Sequence, residues 1–219
     1  MQIRVATANL HGLRAGIERA AGIFGSEDVD LAMVQESGPR GSFRTLAERL
    51  GMEPVLDPLA VLRRRVQDGL LVRRPWRIAT VEHHRFARSA RRHPRGAVIA
   101  LVSTGGRNLW VVSTHLGLTG AERARHAREL LTLMADRRPF VLGGDLNAGE
   151  TSAVVAMFDE VALDVGRAAG ATFPASAPSA RIDYLFVSPD IEIRGVTMAG
   201  GAAASDHLAV VAELGLPVR

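Results

Sequence analysis

The sequence contains no cysteine. This excludes disulfides, thiolate nucleophiles and cysteine-ligated zinc, and it fits a reducing cytoplasm. Any metal must therefore sit on oxygen or imidazole. Aromatic residues are scarce, at 5%, and few interleave with basic stretches, so stacking on single-stranded bases is not indicated. No run is long and charge-free enough to span a bilayer, and a charged fraction of 23% with a mean hydropathy of +0.10 suits a soluble, cytoplasmic chain without a stable membrane anchor. Strand pattern begins at Gln2, and Asn9 already belongs to the candidate site, so no cleaved leader is expected. Lysine is missing too: the net charge of +4 rests on 27 basic residues, all arginine. Genomic GC bias produces the same preference, so the charge is only a weak pointer to anionic partners.

What is present is a chain of 219 residues with 47% hydrophobic residues, enough for one layered α/β domain over residues 1–219, expected as a monomer. Residues 2 to 8 alternate as a strand, and Arg14 to Phe24 then carries helical spacing stopped by Gly25. A second strand at Leu31 to Glu36 leads to a helix at Phe43 to Leu50, with Ser42 as its cap and Gly51 as its close. From Val55 to His115 strands follow one another at 69–72, 78–86, 97–104 and 109–113, with Gly105-Gly106 as a hairpin turn. Thr119-Gly120-Ala121-Glu122 is a capping box, and Ala124, Ala127, Leu131 and Met134 give the following helix its apolar face; His126 on that helix is expected at the surface. A strand at 140–142, a helix near 152–158, a Pro/Ala/Ser loop at 174–180 and three strands around 182–187, 191–198 and 208–214 complete the chain. The long meander is incompatible with a purely parallel doubly wound sheet; mixed sheets covered by helices fit better.

Six polar clusters sit at the ends of these apolar runs: Asn9, Gln35-Glu36, Thr114-His115, Gly144-Asp145-Leu146-Asn147, Asp183 and Ser205-Asp206-His207. In mixed sheets, the C-terminal ends of some strands and the starts of others share one rim, so the clusters could converge. A carboxylate such as Glu36 beside an apolar run is costly to bury without a cation or hydrogen bonds. Asp145 and Asn147, two apart, would project to one side of extended backbone, with Gly143 and Gly144 letting the chain turn tightly; alternatively the segment is an Asx turn. A carboxylate bonded to His207 would fix its tautomer and favour the cation. His11, His83, His84, His93 and His126 show no comparable setting. The stretch Arg85 to Arg95 could grip polyanion phosphates or lie near anionic lipid, although a solvated loop is the plainer reading.

In this order the clusters resemble the endonuclease/exonuclease/phosphatase superfamily, whose fold is that of DNase I. The likeness runs through Ala8-Asn9-Leu10-His11-Gly12, Val34-Gln35-Glu36, Ser113-Thr114-His115-Leu116, Gly144-Asp145-Leu146-Asn147, Arg181-Ile182-Asp183-Tyr184 and Ser205-Asp206-His207. It implies a four-layer sandwich of two packed mixed β-sheets flanked by helices, and a metal-dependent phosphoesterase using Mg²⁺ or Mn²⁺. By motif position, Glu36 would be the main metal ligand, with Asn9 and Asp206 assisting. Asp145 would position or deprotonate the attacking water, Asn147 would hold the phosphate, Asp183 would orient His207, and His207 would stabilise the transition state. His115 would contact a phosphoryl oxygen or assist the leaving group, with Asp68 as its polar partner. His11 stands where some exonuclease III type enzymes have Asp, while Thr114-His115-Leu116 looks like the DNase I, sphingomyelinase and general phosphodiesterase branches, and Thr172-Phe173-Pro174 leading to Arg181-Ile182-Asp183-Tyr184 looks like small bacterial phosphodiesterases of that type. Nucleic acid is the favoured substrate over phospholipid, as in sphingomyelinase-like enzymes, or a small phosphoester. A phosphomonoesterase and a non-catalytic binding module on the same fold are the alternatives.

Overall fold

The computed structural model describes residues 1–56, 66–87 and 94–217. Twelve strands and four α-helices are formed by these residues: β1 Gln2–Asn9, α1 Ile17–Gly25, β2 Leu31–Gln35, α2 Arg40–Leu50, β3 Met52–Leu56, β4 Gly69–Arg73, β5 Arg77–Arg85, β6 Gly96–Thr104, β7 Arg107–His115, α3 Gly120–Met134, β8 Phe140–Asp145, α4 Ala153–Asp159, β9 Leu163–Asp164, β10 Asp183–Val187, β11 Glu192–Ala199 and β12 Ala209–Gly215. They make two six-stranded sheets, ordered β11-β12-β1-β2-β4-β3 and β5-β6-β7-β8-β10-β9. Both are mixed: β1 runs parallel to β2 and antiparallel to β12, and β8 runs parallel to β7 and antiparallel to β10.

Apolar residues from alternate strand positions fill the space between the sheets, among them Val5, Met33, Leu70, Val111, Val141, Leu185 and Val210. The outer face of the first sheet is covered by Ile23 and Phe24 of α1 and Phe43 and Leu46 of α2. That of the second is covered by Ala127 and Leu130 of α3 and Val155 and Phe158 of α4. The expected four-layer sandwich is therefore the observed one. The α3 capping box forms as expected, with Thr119 Oγ1 accepting from the Glu122 N–H at 3.2 Å and Glu122 Oε2 accepting from the Thr119 N–H at 3.3 Å.

Three local expectations need correction. The first helix starts at Ile17, because His11–Leu13 forms a separate 3₁₀ turn before it. The second starts at Arg40 rather than Phe43, with Pro39 at its N-cap and no side-chain cap from Ser42, although Gly51 closes it in the left-handed conformation. His126 is fully buried, its ring stacked on Phe86 at 4.7 Å between centroids. Burial lowers its pKa, Arg125 adds to the effect, and the imidazole is an apolar filler under that face of the helix.

Gly143 and Gly144 serve packing rather than a turn. Both lie inside β8, and a Cβ on Gly143 would stand 2.6 Å from Thr7 Cβ and 2.9 Å from Met33 Cβ across the sandwich. One on Gly144 would stand 2.5 Å from the Thr114 carbonyl oxygen. The missing side chain of Gly143 lets the two sheets close up, and that of Gly144 lets β8 lie against β7, directly beneath Asp145.

Candidate active site

Strand register builds the site before any side chain is considered. At the rim of the second sheet His115 is paired with Asp145, and Asp145 with Asp183, so three of the expected residues form one rung. Across the sandwich Asn9 is paired with Gln35. Beneath them a buried polar chain crosses between the sheets: Thr7 Oγ1 donates to Gln35 Oε1 at 3.3 Å, Gln35 Nε2 to Ser113 Oγ at 3.0 Å, and Ser113 Oγ to the Val34 carbonyl at 2.9 Å. With every member bonded, such a chain fixes the relative slide of the sheets.

Asp145 is the hub. Its Oδ2 accepts from Asn9 Nδ2 at 3.1 Å and lies 3.2 Å from His115 Nε2, while Oδ1 accepts from the Asn147 N–H at 2.9 Å. The last bond is an Asx turn, which is the form this segment takes rather than a continued extended backbone. Asn147 is not on extended backbone: its φ is 51°, and its amide donates to the Leu116 carbonyl at 3.2 Å. Asp183 Oδ2 accepts from His207 Nδ1 at 2.9 Å. Ser205 Oγ donates to the Asn9 carbonyl at 2.7 Å and accepts from the His207 N–H at 3.2 Å, which ties the loop before β12 to the end of β1.

The charges follow from these contacts. Burial would raise the pKa of Asp145, but the His115 ring, His207 and the Asn147 N–H together pull it down to about 2. Burial disfavours the His207 imidazolium, yet its bond to Asp183 and the carboxylates of Asp183, Asp145 and Asp206 push its pKa up to about 9. Asp145, Asp183 and His207 each offer a ligand atom within 4.8 Å of the others. The cluster thus balances two buried carboxylates against one imidazolium.

Glu36 follows β2 with φ 47°, and its side chain joins none of the ion pairs formed among the described residues. Asn9 Oδ1 accepts one hydrogen bond, from the His11 N–H at 2.9 Å, and retains a lone pair. Asp206 meets His11 Nδ1 at 3.2 Å through Oδ1. Carboxylate and carboxamide oxygens of this kind suit a hard cation such as Mg²⁺ or Mn²⁺.

Two site contacts were not read from the sequence. Arg95 Nη1 donates to His115 Nδ1 at 2.7 Å, so the end of the Arg85 to Arg95 stretch is not simply a solvated loop; residues 88–93 of that stretch, with Arg88, Arg91 and Arg92, lie outside the described residues. Both ring nitrogens of His115 thereby face other groups, and no hydrogen bond or ion pair formed among the described residues joins His115 to Asp68, itself buried. His11, given no role, is held between Asp206 and Arg14, whose Nη1 donates to His11 Nε2 at 2.9 Å. Adjacent to Asp206 lies a groove of about 460 Å³ with Arg14, Arg19 and His11 on its walls and Ala175 and Ala202 to Ala204 among its small lining residues.

Solved structures with this fold include an endonuclease/exonuclease/phosphatase from Bacteroides vulgatus, with 18% identity over 99% of this chain and 100% of that one and a TM-score of 0.85. The mannosyl-6-phosphatase of Bacteroides thetaiotaomicron has 19% identity over 98% and 100%, with a TM-score of 0.77. D. rerio TDP2 complexed with single-strand DNA product has 18% identity over 98% and 99%, with a TM-score of 0.78. No curated protein matches the sequence. The model of the Endonuclease/Exonuclease/phosphatase family, however, matches residues 6–207, a span that contains every residue of the rim from Asn9 to His207, and the chain belongs to that family.

Proposed function

We propose that this protein is a divalent-cation-dependent phosphodiesterase that cleaves P–O bonds with water, and that its substrate is nucleic acid. The observation that carries the reading is the convergence on Asp145 of one imidazole backed by a carboxylate, His207, and a second, His115, with Asn147 bound to the same aspartate. A carboxylate held near pKa 2 is a poor proton acceptor but a good hydrogen-bond acceptor, so Asp145 orients the attacking water rather than deprotonating it outright. His207, cationic at neutral pH, is placed to stabilise negative charge on the phosphoryl oxygens as the new P–O bond forms and the ester bond breaks. His115 Nε2 and the Asn147 amide are placed to offer further donors to the same oxygens. Glu36, Asn9 Oδ1 and Asp206 would hold the cation, whose charge, when bound, offsets that of the phosphate.

Nucleic acid is supported by the groove beside Asp206, which is lined by Arg14 and Arg19, two cationic side chains suited to a polyanion. No described helix is long and apolar enough to cross a membrane. A phosphomonoesterase is the second reading, because the mannosyl-6-phosphatase has the same fold.

The test is hydrolysis of bis(p-nitrophenyl) phosphate beside the monoester, with Mg²⁺, Mn²⁺ or EDTA, for wild type and Asp145→Asn. Cation-dependent diester cleavage lost in the variant supports the phosphodiesterase, and DNA, RNA and sphingomyelin vesicles then separate substrates. Cleavage of the monoester alone moves the reading to a phosphatase. Absence of variant-sensitive activity on either, with wild type folded, makes the chain a binding module.

A further inference from the structure

The two imidazoles beside Asp145 are backed by groups of opposite charge. His207 has the Asp183 carboxylate behind Nδ1, whereas His115 has the Arg95 guanidinium behind its Nδ1 at 2.7 Å. A guanidinium has five donors and no acceptor, so the nitrogen facing it must accept. The ring proton of His115 then belongs on Nε2, the nitrogen that faces Asp145 Oδ2 at 3.2 Å. We propose that Arg95 is a positioning residue that locks His115 in its Nε2–H tautomer and so aims the ring's donor into the site, toward Asp145 and the reacting phosphate.

The backbone holds Arg95 to this task. Gly96 is the register partner of His115, and Thr114 Oγ1 donates to the Gly96 carbonyl at 2.9 Å, so the residue preceding Gly96 lies beside the His115 ring. A Cβ on Gly96 would stand 2.1 Å from the His84 carbonyl oxygen, which fixes how closely β6 starts against β5. The Arg95 carbonyl in turn accepts from the Phe86 N–H at 3.0 Å. The site divides the work: His207 supplies charge and His115 supplies direction.

The tautomer is read directly by ¹⁵N–¹H long-range correlation spectra of histidine-labelled protein at neutral pH, with the His115 signals assigned by their loss in His115→Gln. Wild type is expected to show an unprotonated Nδ1 and a protonated Nε2. Arg95→Glu, which replaces the donor by an acceptor, should put a proton on Nδ1, and Arg95→Lys should keep the wild-type pattern. A wild-type ring protonated on Nδ1, or a pattern unchanged in a folded Arg95→Glu, overturns the proposal. Should Arg95→Glu not fold by circular dichroism, Arg95→Ala takes its place, and the wild-type spectrum is decisive alone.

The kinetic consequence rests on the phosphodiesterase reading: kcat on the diester should fall on the order of 10-fold or more in Arg95→Glu with little change in KM, and Arg95→Lys should recover part of it. Equal loss in Arg95→Lys and Arg95→Glu would count against the lock. The expected spectrum without any wild-type hydrolysis supports the lock and removes the phosphodiesterase. Hydrolysis with the opposite tautomer does the reverse.

Discussion

Asn9 and Asp145 belong to different sheets and are joined by a hydrogen bond of 3.1 Å from Nδ2 to Oδ2. The acceptor atom is the one that also faces His115, so the end of β1 sets where the Asp145 carboxylate points. Asn9→Asp replaces that donor by a second carboxylate. Asp145 should then titrate well above about 2, and an acid limb absent from the wild-type kcat/KM profile between pH 4 and 7 should appear. An unchanged profile would show that Asn9 does not govern Asp145.

The alkaline limb belongs to His207. Its folded pKa, about 9, lies above the ordinary 6.5, so the stabilisation it provides is complete below pH 6.5 and disappears as pH rises through 9. Activity that needs the imidazolium should decline over the same upper range. Asp183→Asn removes the partner that raises this pKa, and the limb of kcat should move toward neutral pH. The pH–rate profiles of wild type and variant decide the matter.

Glu36 tests the cation site. With the carboxylate removed in Glu36→Ala, the Mg²⁺ or Mn²⁺ concentration for half-maximal activity should rise, and activity should partly return at high metal. The thermal shift given by cation binding to the folded wild type should shrink in parallel, since ligand binding stabilises only in proportion to affinity. A shift of the same size in both proteins would remove Glu36 from the ligand set.

Gly143 tests the seam. A methyl group there meets Thr7 and Met33 across the sandwich, and overpacking of this sort costs about 1–3 kcal/mol. For a chain of this length each kcal/mol lowers Tm by roughly 2–4 °C. Gly143→Ala should therefore unfold several degrees below wild type in calorimetry, with kcat reduced as well because the displaced strand carries Asp145.

Arg14 and Arg19 test the groove. Arg14→Ala and Arg19→Ala should raise KM for an oligonucleotide severalfold while leaving KM for bis(p-nitrophenyl) phosphate nearly unchanged, and should flatten the dependence of oligonucleotide KM on salt. Equal effects on both substrates would place these arginines outside any extended binding surface.

Much of this was legible because short-range patterns carried it. The strand β1, the capping box before α3 and the placing of polar residues at strand ends each depend on a few neighbouring residues, and each is formed, although burial along β1 alternates only from Gln2 to Val5 and is continuous beyond it. What the sequence concealed was mutual. Nothing local to His126 says that Phe86 will stack on it, nothing in the Arg85 to Arg95 stretch says that Gly96 pairs with His115, and nothing in Gly143 says that Thr7 faces it. His11 was passed over because its partners, Asp206 and Arg14, are supplied by a loop almost 200 positions away and by a turn with three successive left-handed residues, His11 to Leu13. Helix and strand periods report which face is apolar; they do not report what arrives against it.

The strand orders have a wider consequence. Taken from β11 to β3 and from β9 to β5, the two sheets repeat one pattern of directions, each with a central strand flanked by a parallel neighbour on one side and an antiparallel neighbour on the other. The ends of the central strands carry Asn9 and Asp145, the parallel neighbours lead to Glu36 and His115, and the antiparallel neighbours begin at or just after Asp183 and His207. The chain thus presents two similar half-sites face to face, and the bonds Asn9 to Asp145 and Asp183 to His207 both cross the quasi-twofold between them. Neither half holds a complete set of groups, and each buries its inner face against the other, so the cluster and the core that supports it exist only where the two sheets meet.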